Sequence, residues 1–378
     1  MKAAILAVLA VVLTGCAAHR HQSNETPAAP IRYSQATGPL RIVVVGLVHG
    51  HAEGLLWNAE HRDDIDLVGI YEPNKALFDR LASKYNIDPS LRYDNLERML
   101  EETRPEAASV MTSIADHAGV VETCAARGVH TLVEKPLAFS ASDAARIAHA
   151  ARHHGVLVLT NYETSWYASV REAKRLVDSG EMAPVRKMVF RHGHPGPREI
   201  GCAEEFLEWL TDPAQNGGGA LVDFGCYGSA LALWMMQGQE PHSITATAST
   251  LKPDTYPHVD DDATIILEFE SATAIIQASW AWTHDNKEMD IHTEQGSIHA
   301  GKWDALSTRA PDQPAKPLTP PPLPDDYQNE WTYLRHVIRG ECDVDPLSAL
   351  DLNIAVAEIL DEARRQTRSQ ARSHAHRR

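Results

Sequence analysis

The sequence predicts an α/β protein: an N-terminal doubly wound parallel sheet, followed by a C-terminal α+β domain with a large, mostly antiparallel sheet. Strand-like apolar runs alternate with helical segments from residue 40 to residue 161, which is typical of parallel βαβ units. After residue 162, strand-like runs follow one another with few helices between them, which favours antiparallel pairing. The length of 378 residues accommodates two such domains.

In the first domain, short apolar runs bounded by turn residues predict the strands, and amphipathic segments predict the helices. The predicted strands are 40–46, 65–72, 107–112, 129–134 and 156–159, and the predicted helices include 74–84, 96–102, 115–127 and 140–153. Because all these strands run the same way, their carboxyl ends are expected to share one edge of the sheet, where open α/β sheets bind ligands.

The second domain, residues 162–366, begins with predicted helices and continues with β-rich runs. The predicted helices are 169–179 and 203–210, and the predicted strands are 185–192, 243–249, 263–269, 273–282 and 288–296. A proline-rich segment, 311–324, is expected to be extended. Helices at 329–339 and 349–366 close the domain and are expected to pack back on the first one.

The N-terminus has the pattern of an exported protein. Lys2 precedes a short apolar run, residues 3–13, and the run ends in Leu-Thr-Gly-Cys at Cys16, which resembles a bacterial lipobox. We therefore predict a signal peptide over residues 1–16, lipidation of Cys16 and a flexible tether over 17–39. This places the protein on the periplasmic side of a bacterial membrane, with the outer membrane favoured. The alternative is an ordinary secretory signal with a chance cysteine.

Charge and cysteine content exclude several classes of protein. The net charge of -16 argues against a nucleic-acid partner. Residues 367–378 are basic and are expected to form a disordered tail. The four cysteines besides Cys16 lack zinc-type spacing and are too few for a disulfide scaffold.

The turn after the first strand is a candidate dinucleotide site. It reads Gly46-Leu47-Val48-His49-Gly50-His51, and the usual pattern there is G-x-G-x-x-G. Gly46 supplies the tight turn, whereas Val48 and His51 replace the second and third glycines and Gly50 is shifted by one residue. The strand and the helix around the turn support a cofactor role despite these departures.

Glu72 ends the second strand, where an acidic residue commonly binds the ribose 2′-hydroxyl of NAD. Its charge would repel a 2′-phosphate, so NAD is expected and NADP is disfavoured. The alternative is that Glu72 stabilises the N-terminus of the following helix. Thr112 and His117, after the third strand, are further candidate cofactor contacts.

No metal is predicted. His49 and His51 were weighed as ligands, with His192 and His194 as a second pair, but no carboxylate or cysteine has convincing ligand spacing in the sequence. The first pair is instead expected to line the cofactor phosphates or the mouth of the site.

The fourth strand ends in Glu134-Lys135-Pro136, where the proline must stop the sheet ladder. With the turn at Gly46, this resembles the family of glucose–fructose oxidoreductase, inositol dehydrogenase and MocA. The resemblance implies a Rossmann domain that binds NAD(P) in part through Glu134 and Lys135. It places Lys135 between nicotinamide and a carbohydrate substrate, and it implies a homodimer or homotetramer formed through the antiparallel sheet.

The run Gly217-Gly218-Gly219 to Gly228 resembles the family segment G-G-G-x-x-x-D-x-G-x-H, with Asp223 in place and Tyr227 instead of the histidine. We expect the Lys135 ammonium to stabilise a Tyr227 phenolate that takes the hydroxyl proton, while Asp223 orients the substrate or the tyrosine. The alternative is that Tyr227 packs in a helix core with Trp234.

Further polar and aromatic residues are candidate sugar contacts, because tryptophans stack on sugar rings but also fill cores. The candidates are Asn161, Tyr162, Trp166 and Trp209, with Asp212, Trp280 and Trp282 as weaker ones.

The expected function is an NAD(P)-dependent oxidoreductase acting on a sugar or sugar derivative. A periplasm offers neither free NAD nor its recycling, so one alternative is a redox-neutral glycoside hydrolase or epimerase with a tightly bound cofactor. The altered glycine turn favours another alternative, a non-catalytic carbohydrate-binding lipoprotein.

Overall fold

A computed structural model describes residues 28–375. The predicted signal peptide, Cys16 and residues 17–27 lie outside the described residues, so lipidation and localisation stay predictions. None of the helices in the described part is both long and apolar enough to span a bilayer.

The first domain is a six-stranded parallel sheet, which confirms the predicted doubly wound fold. Its strands are β1 (Leu40–Val45), β2 (Ile65–Tyr71), β3 (Arg92–Tyr93), β4 (Ala107–Val110), β5 (His130–Glu134) and β6 (Val158–Asn161). The strand order is β3-β2-β1-β4-β5-β6. The order reverses between β1 and β4, and such switch points open a crevice at the carboxyl ends of the strands.

Helices cover both faces of this sheet. They are α1 (His51–His61), α2 (Lys75–Lys84), α3 (Leu96–Thr103), α4 (His117–Ala125) and α5 (Ala141–His154). Asn74 begins α2 by accepting backbone N–H groups of the first turn, and Gly155 ends α5 in the left-handed conformation. Since the strands are buried on both faces, β1 and β4 are mostly apolar, whereas the equally buried β5 carries polar residues at both ends.

The second domain is built on an eight-stranded sheet that is antiparallel except for one parallel pair, β7 with β10. Its strands are β7 (Val185–Gly193), β8 (Ser243–Ser249), β9 (Asp262–Glu268), β10 (Thr273–Ser279), β11 (Asn286–Thr293), β12 (Gly296–Ala300), β13 (Leu306–Arg309) and β14 (Lys316–Pro317). The order is β14-β13-β12-β11-β7-β10-β9-β8. This confirms the predicted mostly antiparallel sheet.

One face of the second sheet is covered by helices. The helices of this domain are α6 (Ala168–Asp178), α7 (Glu204–Leu210), α8 (Ala220–Asp223) and α9 (Gly225–Met235). All residues of α9 are buried, because it lies between the sheet and a later helix. Successive residues of each strand point alternately to this covered face and to the opposite face. In β9, Ile265 is buried, whereas Ile266 is partly exposed.

The last two helices, α10 (Glu330–Ile338) and α11 (Leu350–Ala375), follow the predicted order. As expected, α11 packs on the first domain as well as the second, because it contacts α5 as well as α9 and β8. It continues to Ala375, so the prediction of disorder from residue 367 is wrong for the described part of the tail.

Residues 29–39 lie along the first domain. Ala29 and Arg32 donate backbone hydrogen bonds to Arg152 O and Gly155 O, both at 2.8 Å, and Ser34 donates one to Ile338 O at 2.7 Å. The prediction of a flexible tether is therefore wrong for this stretch. Its polar composition concealed backbone pairing with segments more than 100 residues away.

Candidate active site

The candidate site lies where the carboxyl ends of β1, β4 and β5 meet β7, α8 and β10 of the second domain. Gly46 makes the sharp exit from β1 with φ of +85°, and a Cβ there would come within 2.7 Å of Thr112 Cγ2 and 3.1 Å of Met111 O. Glycine is therefore required at this position for two reasons, conformation and close approach. The turn is fixed to β4 by the His49 N–H, which donates to Met111 O at 3.1 Å.

Glu72 has the helix-stabilising role that the sequence left as one alternative, and its contact with a ribose stays a prediction. Its buried carboxylate accepts the N–H of Leu47 in the turn at 2.9 Å and the N–H of Asn74 before α2 at 2.8 Å. Burial raises the pKa of Glu72, although these backbone hydrogen bonds oppose the rise. The residue thus ties the turn after β1 to the end of β2.

A cleft of about 430 Å³ opens beside Glu72 between the turn and α4. Gly46, Val48 and Thr112 line it, which fits their predicted cofactor role. Three further acidic side chains line it: Asp94, Glu97 and Asp116. None of the described lining residues is a lysine or an arginine. These acids were missed in the sequence because they come from separate loops and from the start of α3.

Glu134 lies at the end of β5 between two histidines of the turn. Its Oε1 is 3.1 Å from His51 Nδ1, and its Oε2 is 3.8 Å from His49 Nε2. Asn161 Nδ2, at the end of β6, donates to Glu134 Oε1 at 3.0 Å. The turn and the Glu-Lys-Pro segment, separated by about 80 residues, therefore form one constellation.

The charges of this constellation follow from burial and mutual attraction. Burial alone would raise the pKa of Glu134, but the two histidines and the hydrogen bonds of the carboxylate outweigh it and lower the pKa. The attraction of Glu134 raises the pKa of His51, whereas burial lowers the pKa of His49 to about 3. At neutral pH the buried carboxylate thus faces one neutral imidazole.

Two of the candidate sugar contacts, Trp209 and Trp166, hold neighbouring residues of the site. Trp209 Nε1 donates to Val48 O at 3.2 Å, and its ring stacks on His49 at 5.8 Å between centroids. Trp166 Nε1 donates to Asn161 Oδ1 at 3.1 Å. The structure therefore brings Trp209, Trp166 and Asn161 to the site, where they position the residues around Glu134.

Two other predicted contacts lie behind the site. Tyr162 is fully buried, and its hydroxyl donates to Asn353 Oδ1 of α11 at 2.8 Å. His117 is also buried, with Nδ1 at 3.2 Å from both Pro136 O and Leu137 O. Both side chains thus hold the framework of the site, and their contacts with sugar and cofactor stay predictions.

Lys135 is buried and forms an ion pair with Asp223 Oδ1, and it also donates to Asp223 O at 3.1 Å. The second carboxylate oxygen of Asp223 accepts the indole N–H of Trp280 at 2.9 Å. Burial alone would lower the pKa of Lys135, but the attraction of Asp223 outweighs it and raises the pKa. Asp223 therefore positions Lys135, and its expected role in orienting the substrate or Tyr227 stays a prediction.

Tyr227 lies next to Lys135, but in a different relation from the one predicted. The Lys135 ammonium is 5.1 Å from the centroid of the Tyr227 ring, which is the geometry of a cation–π contact. Burial, followed by the charge of Glu163, raises the pKa of Tyr227 well above its ordinary value. This direction disfavours a phenolate, and the predicted part of Tyr227 in proton transfer stays a prediction. Trp234 is not its stacking partner: Tyr162, His192 and Phe224 surround the ring.

The glycine run before α8 is shaped by Asp260, which the sequence analysis missed. Its carboxylate accepts the N–H of Gly219 at 2.9 Å and of Leu221 at 2.7 Å. A Cβ on Gly219 would lie 1.7 Å from Asp260 O, so the triple glycine allows a close approach. This contact fixes the start of α8 and with it the position of Asp223.

The two predicted histidine pairs behave differently. His192 is buried against Tyr227, its Nδ1 has no hydrogen-bond partner among the described residues, and burial lowers its pKa to about 3. His194 Nδ1 accepts the N–H of Gly196 at 3.0 Å. Neither joins a third ligand-type side chain, whereas His49 and His51 join Glu134.

Comparisons with known proteins agree with this architecture. A model of an oxidoreductase family with an NAD-binding Rossmann fold matches residues 40–162, and a model of the GFO/IDH/MocA C-terminal domain matches residues 170–299. The trans-1,2-dihydrobenzene-1,2-diol dehydrogenase of Mus musculus is 23% identical over 319 residues, 82% of this chain and 89% of that protein.

A second relative, the dTDP-3,4-didehydro-2,6-dideoxy-alpha-D-glucose 3-reductase of Saccharopolyspora spinosa, is 26% identical over 235 residues, 62% of this chain and 66% of that protein. The structure of aldose-aldose oxidoreductase from Caulobacter crescentus, complexed with glycerol, superposes with a TM-score of 0.72 at 22% identity. The match covers 88% of this chain and 98% of that one. This last likeness establishes the fold.

Proposed function

Since this chain belongs to the GFO/IDH/MocA oxidoreductase family, we propose that it is an NAD-dependent oxidoreductase of a sugar or sugar derivative. The observation that carries the proposal is Lys135, an ammonium held by Asp223 at the carboxyl end of β5, beside the nucleotide turn. The two relatives at 23% and 26% identity are named for a diol and for a sugar nucleotide, which supports a hydroxyl-bearing substrate.

The residues around Gly46 fit a dinucleotide, although no glycine stands at 48 or 51. Gly46, packed against Thr112, would let a dinucleotide approach the backbone closely at the end of β1. Glu72 lines the cleft where the ribose would be held. When bound, NAD would give or accept a hydride. The four acidic residues of the cleft favour NAD over NADP, because a 2′-phosphate would add negative charge among them.

Lys135 would act on the substrate oxygen as a hydrogen-bond donor. Because Asp223 raises its pKa, Lys135 stays an ammonium across neutral pH and is suited to stabilise an alkoxide or to give a proton to a carbonyl oxygen. Tyr227, as a neutral phenol, would contribute its hydroxyl to the same oxygen or to a neighbouring one.

The test compares wild type with Lys135→Met, using Lys316→Met as a control because Lys316 is an exposed lysine on β14. We expect Lys135→Met to lose roughly 10²–10⁴ in turnover, the usual contribution of a positioned proton donor. Binding of NAD, followed by fluorescence, should survive in both variants. Full turnover by Lys135→Met would contradict the proposal.

Isotope labelling decides what kind of oxidoreductase this is. With a glycoside deuterated at the oxidised carbon, a net dehydrogenase accumulates deuterated NADH. A redox-neutral hydrolase or epimerase with a recycling cofactor releases product without net NADH. If titration shows binding of neither NAD nor NADP, the non-catalytic carbohydrate-binding interpretation replaces both.

A further inference from the structure

We propose that His49, His51 and Glu134 form a binding site for one divalent transition-metal cation of the Zn²⁺ class. The site joins the turn after β1 to the end of β5. The inference is independent of the proposed function, since it concerns cation binding by the protein alone.

The geometry of the three side chains fits a cation. One ligand atom from each residue lies within 4.8 Å of the other two. Zinc bonds to nitrogen and oxygen of about 2.0–2.1 Å place neighbouring ligands of a tetrahedron roughly 3.3 Å apart. The observed separations, 3.1 Å from His51 Nδ1 to Glu134 Oε1 and 3.8 Å from His49 Nε2 to Glu134 Oε2, lie on either side of that length.

A separate observation points to a missing partner for Glu134. The residue is 1% exposed, and its Oε2 has no hydrogen-bond partner among the described residues. The His49 nitrogen that faces this oxygen is too distant to hydrogen-bond it. A buried carboxylate oxygen without a partner is costly, and a cation between Oε2 and the imidazole would satisfy it.

The surroundings resemble the supporting shell of a metal site. Asn161 donates a hydrogen bond to Glu134, which fixes the carboxylate, and the rings of Phe206 and Trp209 hold the His49 imidazole from two sides. Two histidines and one carboxylate are the donor set of catalytic zinc sites that keep a coordination position open. A water is the ligand expected in that position.

Loading the site has a local structural consequence. His49 Nδ1 accepts the backbone N–H of His51 at 3.2 Å. A neutral imidazole that binds a cation through Nε2 carries its proton on Nδ1 and can no longer accept there. Binding of the cation must therefore open this hydrogen bond. Gly50 lies between the two histidines, and no atom lies within 4 Å of the position of a Cβ there. The turn therefore has room to adjust.

The experiment uses the purified full chain, stripped with a chelator and titrated with Zn²⁺ by calorimetry. We expect one tight site per chain. His51→Gln and Glu134→Gln should weaken it by about tenfold or more, since even the loss of a supporting residue costs that much in metal sites. The matched control is His61→Gln, which removes an exposed histidine from the same helix and should leave the tight site unchanged.

The control matters because the chain has 20 histidines, and weak surface binding is expected in every variant. Zn²⁺ should also raise the thermal midpoint of wild type and of His61→Gln, but not of the other two variants. If a variant does not fold, Co²⁺ binding to wild type tests the site instead. A tetrahedral Co²⁺ site absorbs visible light strongly, and Zn²⁺ that displaces the Co²⁺ should abolish this absorption. Absence of a tight site in wild type, or equal binding by His51→Gln and His61→Gln, would overturn the proposal.

Discussion

Asp223 positions Lys135 at the site, and each of its carboxylate oxygens has a polar partner. One oxygen pairs with Lys135 and the other accepts the N–H of Trp280, which is fully buried. The position of the ammonium thus depends on Trp280, which directly follows β10. Asp260 adds a second indirect contribution, because it fixes the glycine run from which α8 begins.

Glu72 allows a test of cofactor choice. Glu72→Gln removes one negative charge from the cleft, so we expect the preference for NAD over NADP to narrow by at least about tenfold. A unit charge near a phosphate is worth a few kcal/mol at an effective dielectric constant of ~20, and about 1.4 kcal/mol already corresponds to a factor of ten. Fluorescence titration with both dinucleotides measures the ratio. Asp79→Asn on α2, an exposed residue paired with Lys75, is the control for loss of one charge elsewhere. A wild type that binds both dinucleotides equally would contradict the assignment.

At the scale of elements, the local sequence pattern was enough to predict those helices and strands that are long enough to carry such a pattern. The apolar runs of β1, β4 and β5 and the alternation in β9 and β10 predicted the two sheets. The two-residue strands β3 and β14 are too short to carry a pattern. The stretch 29–39 has no apolar periodicity and is held only by hydrogen bonds to distant segments.

The residues of the candidate site also fall into two groups, those that a local motif predicts and those whose roles depend on the tertiary fold. Lys135, Asp223 and Glu72 were found because each lies in a short motif whose spacing carries information. Asp260 was not found and Trp280 was considered only as a sugar contact, because their roles depend on which strands pair and in what register. The partnership of His51 with Glu134 likewise requires the parallel order β1-β4-β5, which brings together residues 83 positions apart.

His130 links the stretch 29–39 to β5 in a way that depends on pH. Its Nδ1 accepts the N–H of Leu157 at 2.9 Å, and its Nε2 donates to Arg32 O at 3.0 Å, so the neutral ring is required. Burial lowers the pKa of His130. At pH values between the folded pKa of His130 and the ordinary value of 6.5, the unfolded chain binds a proton at this residue and the folded protein does not. The contribution of the neutral ring to the free energy of unfolding is therefore complete above pH 6.5 and is lost as the pH falls below it.

We expect the free energy of unfolding of wild type to fall more steeply below pH 6.5 than that of His130→Gln, by at most about 1.4 kcal/mol per pH unit for one proton. Urea unfolding at several pH values measures the difference. His153→Gln, on the exposed end of α5, should keep the wild-type slope. Identical slopes for wild type and His130→Gln would show that this histidine does not govern the contact.

At the scale of the whole molecule, the outer face of the second sheet bears an apolar row. Val189 on β7, Ile275 on β10 and Ile266 on β9 are directly paired across neighbouring strands. All three are partly exposed, and the helices of this domain cover the opposite face. Contiguous exposed apolar surface of this kind commonly marks an interface, and on an antiparallel sheet a second copy can cover it face to face.

We therefore expect a homodimer or homotetramer formed through this face. Ile275→Arg would place a charge at the centre of the row, where the partner subunit offers no water to solvate it, and should give monomers. Light scattering on the protein carrying Cys16→Ser, which prevents lipid attachment, measures the mass. Trp57→Arg, an exposed apolar residue of α1 in the first domain, should keep the oligomer. A monomeric mass without Ile275→Arg would rule out this interface, whereas an oligomer that persists with Ile275→Arg would move it to another surface.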